Sequence, residues 1–165
     1  MRDPHTEGRI GMVSIGVDAH KRVNMAVAVD EAGREVARWR GPNTGAGWQE
    51  LAAWSVPLGA VRRWGIEGAW NYGRGLAQHL VEAGAVVYEV NPRWTASERK
   101  QARRPGKSDR LDARAVALVV RREADALPPV TAEDDTSLAA QLAVERDELV
   151  AEATRLRNRL HQLFQ

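Results

Sequence analysis

Two carboxylates three positions apart, Asp109 and Asp112, lie in the segment Lys107-Ser108-Asp109-Arg110-Leu111-Asp112-Ala113. Ser108 is a good helix N-cap, and Ala113, Val116, Ala117 and Val120 recur at helical spacing, so a helix is predicted to begin here. Residues i and i+3 of a helix share a face, with about 5–6 Å between their β-carbons. Both carboxylates are thus aimed at one point. Acids in a first helical turn also complement the helix dipole without doing anything else. What changes the reading is a second pair, Asp18 and Glu67, each closing a short apolar run. Four carboxylates brought together repel and raise one another's pKa values unless a cation is present. A converged set of Asp18, Glu67, Asp109 and Asp112 therefore implies a metal site. Oxygen donors without cysteine or a dominant histidine set select Mg2+, with Mn2+ as a substitute. Two such ions roughly 3.5–4 Å apart suit phosphodiester cleavage.

The elements that must position these acids follow from the patterning. Val13-Ser14-Ile15-Gly16-Val17-Asp18 reads as an apolar strand ending in an acid, Asn24 to Asp30 as a second strand, and Arg34 to Arg40 as a third after a turn at Glu31-Ala32-Gly33. These three form an antiparallel meander. Trp48, Leu51, Ala52 and Val56 mark a helix that stops near Pro57, and Arg62 to Glu67 is a strand that again ends in an acid. Asn71 to Ala83 reads as a helix with Gly84 as its stop, and Ala85 to Val90 as a fifth strand closed by Asn91-Pro92. The strand–helix–strand rhythm implies parallel crossovers, so the sheet is expected to be mixed and flanked by helices, an α/β fold. In such sheets ligands collect at the carboxyl ends of strands, where Asp18 and Glu67 are expected.

Charge is distributed unevenly. The net charge is only +2 over 165 residues. Yet Arg93, Arg99, Lys100, Arg103, Arg104 and Lys107 face one acid, Glu98, just before the acidic helix. A charge run is often no more than a solvated surface. Its place beside the carboxylates makes this one a candidate strip for a phosphodiester backbone, with Lys21 and Arg110 as further candidate phosphate contacts. Trp70, Tyr72 and Trp94 are candidate base-stacking side chains. His20, two positions after Asp18, is read as a turn histidine rather than one directed at the acids. Absence of cysteine excludes disulfides and thiolate chemistry and fits a reducing compartment; the protein is expected in the cytoplasm, associated with the nucleoid. No apolar run approaches the roughly 20 residues that span a bilayer, so no membrane partner is expected.

Leu127-Pro128-Pro129-Val130 reads as a linker. Beyond it Leu142, Leu149, Leu156 and Leu163 recur every seven residues, with Ala139, Arg146, Ala153 and Leu160 on the companion seam. This is a heptad pattern, expected to give a coiled-coil-like arm through which the protein forms a homo-oligomer. The resulting organisation is a flexible tail over residues 1–12, a domain over 13–126, a linker over 127–132 and the start of an arm over 133–165.

Taken together, four pieces resemble a known family: Gly16-Val17-Asp18-Ala19-His20-Lys21, Glu67 with Asn71-Tyr72-Gly73, Val90-Asn91-Pro92, and Lys107 to Ala113. Their order resembles the RuvC-like ribonuclease H fold, and more closely the DEDD transposases of the insertion sequence 110 family and their Piv-type relatives. The resemblance implies a DNA recombinase domain that binds metal through Asp18, Glu67, Asp109 and Asp112 and works with a structured guide RNA. It also implies that a C-terminal domain supplying a serine nucleophile follows the arm, a domain not in this sequence, so that the chain alone is not expected to complete recombination. One departure stands beside Glu67, where Ala69-Trp70 replaces the Thr-Gly pair usual in the family.

Three other readings remain at this stage. A Holliday-junction-type nuclease would share the fold. A non-catalytic module would bind nucleic acid and dimerise through the arm. An actin-like or sugar-kinase ATPase would also begin with Asp at a strand end, but Asp18-Ala19-His20-Lys21 lacks the Gly and Ser/Thr groups that such turns offer to phosphates.

Overall fold

A computed structural model describes residues 11–59, 61–101 and 108–163, excepting the side chains of residues 61, 97–101, 135–138, 140, 141 and 163. The expected tail, residues 1–12, falls mostly outside this range, as do Arg103, Arg104 and Lys107. Five strands, β1 (Met12–Ala19), β2 (Val23–Val29), β3 (Glu35–Pro42), β4 (Val61–Glu67) and β5 (Val86–Val90), form one sheet in the order β3-β2-β1-β4-β5. Strand β1 pairs antiparallel with β2, and β2 with β3, whereas β1 and β4 run parallel, as do β4 and β5. The sheet is therefore mixed, as the meander followed by crossovers requires.

Helices cover both faces. On one lie α1 (Gly45–Ser55) and α2 (Arg74–Glu82), on the other α4 (Asp109–Glu123). Alternation along β1 divides the core between the faces. Val13, Ile15 and Val17 pack with Leu51, Leu76 and Leu80. Met25, Val27 and Val29 of β2 pack with Ala113 and Ala117 of α4, while Val116, Val119 and Val120 pack with Val90 and Leu127. Burying the Val, Leu, Ile and Met side chains contributes roughly 1.5–3 kcal/mol each, so α4 is held by its whole apolar face. Ser108 caps the helix, its hydroxyl accepting the Leu111 N–H at 3.4 Å. Close approach matters as much as area: a β-carbon at Gly16 would lie 2.2 Å from both Ala113 O and Ala117 N, so only glycine lets α4 settle on β1.

Two local differences from the sequence reading have physical causes. The second helix begins at Arg74 rather than Asn71, because Gly68 adopts φ +75° and its carbonyl accepts the N–H groups of Asn71 at 2.9 Å and Gly73 at 3.0 Å, closing a turn first. The basic stretch after Asn91-Pro92 is not merely a strip: Pro92–Gln101 forms helix α3, started by Pro at its first position and by Asn91 Oδ1 accepting the Arg93 N–H at 3.0 Å. Its charge pattern hid the helix, since Thr95 is its one side chain assigned as buried among those described.

Beyond α4, Val130 N donates to Val87 O at 2.8 Å and Glu89 N to Pro128 O at 3.1 Å, so this stretch lies along β5. A second unit begins at Ala132 and consists of the long helix α5 (Asp135–Leu163). On it Leu142, Leu149 and Leu156 are all exposed. Among the described residues no helix is long and apolar enough to cross a membrane.

Candidate metal centre

Strand pairing alone brings the first two acids together. Asp18 and Glu67 are direct partners in the parallel register of β1 and β4, so they stand on the same face at the same end of the sheet. Gly16 and Gly65 mark that face as the one α4 covers. The first turn of α4 then delivers Asp109 and Asp112 to it. Burial pushes the Asp18 carboxyl above its ordinary range; His20 opposes that rise, and Asp112 and then Asp109 add repulsion to it. Asp112 is itself buried and Asp109 is exposed.

His20 departs from the turn-histidine reading of the sequence. It does follow the β1 strand end, but its ring points at the acids: Nε2 is 3.0 Å from Asp18 Oδ2, as a donor to the carboxylate, and 3.6 Å from Asp109 Oδ1. Donor atoms of Asp18, His20 and Asp109 all lie within 4.8 Å of one another. Glu67 and Asp112 flank this trio without belonging to it. A set of carboxylates with one imidazole, at the point where Asp18 is both desolvated and repelled, has the chemistry of a divalent-cation site. The carboxylates fit Mg2+ and Mn2+; the imidazole is better tolerated by Mn2+.

Two further side chains set the geometry and were not singled out from sequence. Asn43, just after β3, uses all of its amide capacity. Its Nδ2 donates to His20 O at 2.9 Å and Tyr72 O at 2.8 Å, and its Oδ1 accepts from Trp48 Nε1 at 2.7 Å and Asn24 Nδ2 at 3.1 Å. One amide thus ties the turn after Asp18 to the loop after Glu67. Glu89 on β5 accepts the Ala69 N–H at 2.8 Å, bracing that loop from the other side. Half-burial raises the Glu89 carboxyl to about 7, with the Ala69 N–H opposing the rise and the nearby Glu67 charge adding to it. An acid alone in the apolar run Val86-Val87-Tyr88-Glu89-Val90 was the available signal.

The expected nucleic-acid contacts are dispersed. Lys21 and Arg22 are exposed on the β1–β2 turn and share an open groove with His20, Val23, Tyr72 and Asp109. Arg110 is engaged instead by Glu35, Nη2 to Oε2 at 2.8 Å. Arg93 is exposed at the start of α3, which also carries Arg99 and Lys100, whose side chains lie outside the described residues, as do Arg103, Arg104 and Lys107 altogether. Trp70, Tyr72 and Trp94 are exposed, and Ala69 is buried.

A mixed five-stranded sheet with acids at the carboxyl ends of two adjacent parallel strands and on the helix crossing them defines a RuvC-like architecture. Solved structures agree: RuvC from Thermus thermophilus matches with a TM-score of 0.56 at 16% identity, covering 72% of this chain and 100% of that one. T. thermophilus RuvC in complex with its Holliday junction substrate matches with a TM-score of 0.54 at 16% identity, over 72% and 99% of the two chains. Comparison with curated proteins returns no match. The family profile of DEDD transposases of the insertion sequence 110 type, described as a transposase, matches residues 15–165, and the chain belongs to that family.

Proposed function

We propose that this chain is the metal-binding domain of a DNA transposase, in which Asp18, Glu67, Asp109 and Asp112 hold Mg2+ for phosphodiester strand cleavage and transfer. The observation that carries this reading is the Asp18–Glu67 register pair lying under the first turn of α4, with His20 Nε2 between Asp18 and Asp109. When bound, the cation supplies charge stabilisation at the phosphodiester being broken. The chain's own groups do the rest. His20 holds the Asp18 carboxylate in place, Asn43 and Glu89 fix the loops on either side, and Lys21 and Arg22 neutralise phosphate at the groove. Tyr72 offers a ring on which a base can stack. Arg93, Arg99, Lys100, Arg103, Arg104 and Lys107 extend the basic surface, and a structured guide RNA is the partner that family membership suggests. The heptad leucines of α5 begin a coiled-coil arm that pairs with a second copy, and the protein acts in the cytoplasm, at the nucleoid.

Calorimetric titration with Mn2+ and Mg2+ tests the site. Binding is expected for the unmodified chain and lost in both Asp18→Asn and Asp109→Asn. Binding indifferent to both changes sinks the metal reading and leaves a module that only binds nucleic acid. Since one structural neighbour is bound to a Holliday junction, a four-way junction belongs among the DNA substrates offered; its resolution by this chain alone would favour a junction nuclease over a transposase domain.

A further inference from the structure

The row of paired residues that begins with the acids does not stop at β1. Glu67 pairs with Asp18, Asp18 with Met25, and Met25 with Arg40. One row away, Gly65 pairs with Gly16, Gly16 with Val27, and Val27 with Arg38. Directly paired residues on neighbouring strands point to the same face, so Arg38 and Arg40 share the face that carries Asp18 and Glu67. Helix α4 covers that face over β2, where Met25 and Val27 pack on Ala113 and Ala117. On β3 the burial alternates: Ala37 and Trp39 pack into the core of the opposite face, and Arg38 and Arg40 are exposed.

Their charges are also unanswered. Among the described residues neither guanidinium has a hydrogen-bond or ion-pair partner, whereas the arginines around them are engaged. Arg34 pairs with Asp30 at 2.8 Å, Arg110 with Glu35 at 2.8 Å, and Arg114 and Arg121 donate to the carbonyls of Gly33 at 3.2 Å and Glu31 at 2.9 Å. Two free guanidiniums, two residues apart on one sheet face, form a ledge at the sheet edge, two strands from Asp18.

We propose that Arg38 and Arg40 on the edge strand β3 hold the phosphodiester backbone of the DNA strand that enters the acidic site. The inference rests on the metal-site reading for which strand is held, and on charge for what holds it. Strands lie about 4.8 Å apart, which puts the backbone at Arg40 about 10 Å from that at Asp18. At 3.4 Å of rise per nucleotide this is about three nucleotides along a strand. Arg38, about 7 Å from Arg40 along β3, meets a phosphate about two nucleotides away on the same scale. Arginine suits the task because its planar fork binds phosphate through two donors. Charged side chains on an edge strand can instead serve to prevent edge-to-edge pairing, and the experiment separates the two roles.

Fluorescence anisotropy of a labelled DNA duplex, in EDTA and across a salt series, compares the unmodified chain with Arg38→Gln/Arg40→Gln. Loss of two phosphate contacts is expected to lower the slope of log K against log salt by about 2 and affinity at 0.1 M salt by on the order of tenfold or more. The Lys double substitution should keep most of the slope. Calorimetric Mn2+ binding by the Gln variant should be unchanged, so that failure of the ledge and failure of the metal site read out separately. The proposal is overturned if the DNA slope and affinity are unchanged, or if an RNA duplex of the same sequence, run in parallel, loses binding while the DNA duplex does not.

Discussion

Glu89→Gln isolates a carboxyl whose proton is held into the neutral range. The substitution keeps an oxygen to accept the Ala69 N–H, which Glu89 accepts at 2.8 Å, and removes only the charge. The Glu89 carboxyl rises from its ordinary 4.5 to about 7, chiefly through burial and secondarily through the Glu67 charge. The folded chain therefore holds this proton more tightly than the unfolded chain. Its contribution to stability is greatest below the unfolded value near 4.5 and is lost as pH rises through about 7. At about 1.4 kcal/mol for each tenfold in proton affinity, the ceiling is about 3 kcal/mol. Because the side chain is only half-buried, solvent screening reduces this to about 1–2 kcal/mol. Urea denaturation in EDTA at pH 4.5 and pH 8 measures it. The variant should be more stable than the unmodified chain at pH 8 by that amount, a midpoint shift of roughly 0.5–1 M, and the advantage should largely vanish at pH 4.5. Equal differences at the two pH values would refute the reasoning, since a charge effect must depend on pH and a packing effect need not.

Gly16→Ala forces a β-carbon against Ala113 O and Ala117 N, so α4 must lift from β1; denaturant titration should show a loss of about 3 kcal/mol or more. Asn43→Ala removes four side-chain hydrogen bonds and leaves Trp48 Nε1 without its acceptor; a loss of about 2–4 kcal/mol is expected, together with weaker Mn2+ binding by calorimetry because the His20 turn is released. Ser108→Ala deletes the cap of α4 and should cost about 1 kcal/mol in thermal or chemical denaturation. Arg110→Ala removes an exposed ion pair with Glu35 and should change stability by no more than about 1 kcal/mol in the same assay.

What was legible in the sequence and what was not divides along a physical line. Strands β1, β2 and β5 could be read because each carries a largely apolar run bounded by turn residues, and α4 could be read because Ala113, Val116, Ala117 and Val120 recur at helical spacing, all fully buried here. The neighbourhood of Asp18 and Glu67 was inferred from the family-like order of the elements, and it is the register of β1 and β4 that pairs them. Helix α3 was missed because its identity rests on Pro92 and on the Asn91 cap rather than on an apolar stripe. Asn43 and Glu89 were missed, and His20 was read as a turn residue, for another reason. Each acts through a contact between residues distant in the chain or across a turn, and nothing in local periodicity encodes which way a turn side chain points. Arg38 and Arg40 looked like ordinary strand polarity until the register placed Arg40 in the row of Asp18.

The close seat of α4 on Gly16 has a consequence for how the molecule comes into being. During synthesis N-terminal residues emerge first, so β1 and β2, bearing Gly16, Asp18, Met25 and Val27, are made before α4 exists to cover them. The helix that buries Met25 and Val27 with Ala113 and Ala117 is the same helix that brings Asp109 and Asp112. A nascent or clipped chain lacking α4 thus shows an uncovered hydrophobic face, the mark by which chaperones and proteases recognise unfinished protein, and has only part of the acidic set. Completion of the fold and completion of the acidic set are thus carried by one element, so a chain without α4 is marked as unfinished and lacks Asp109 and Asp112 together.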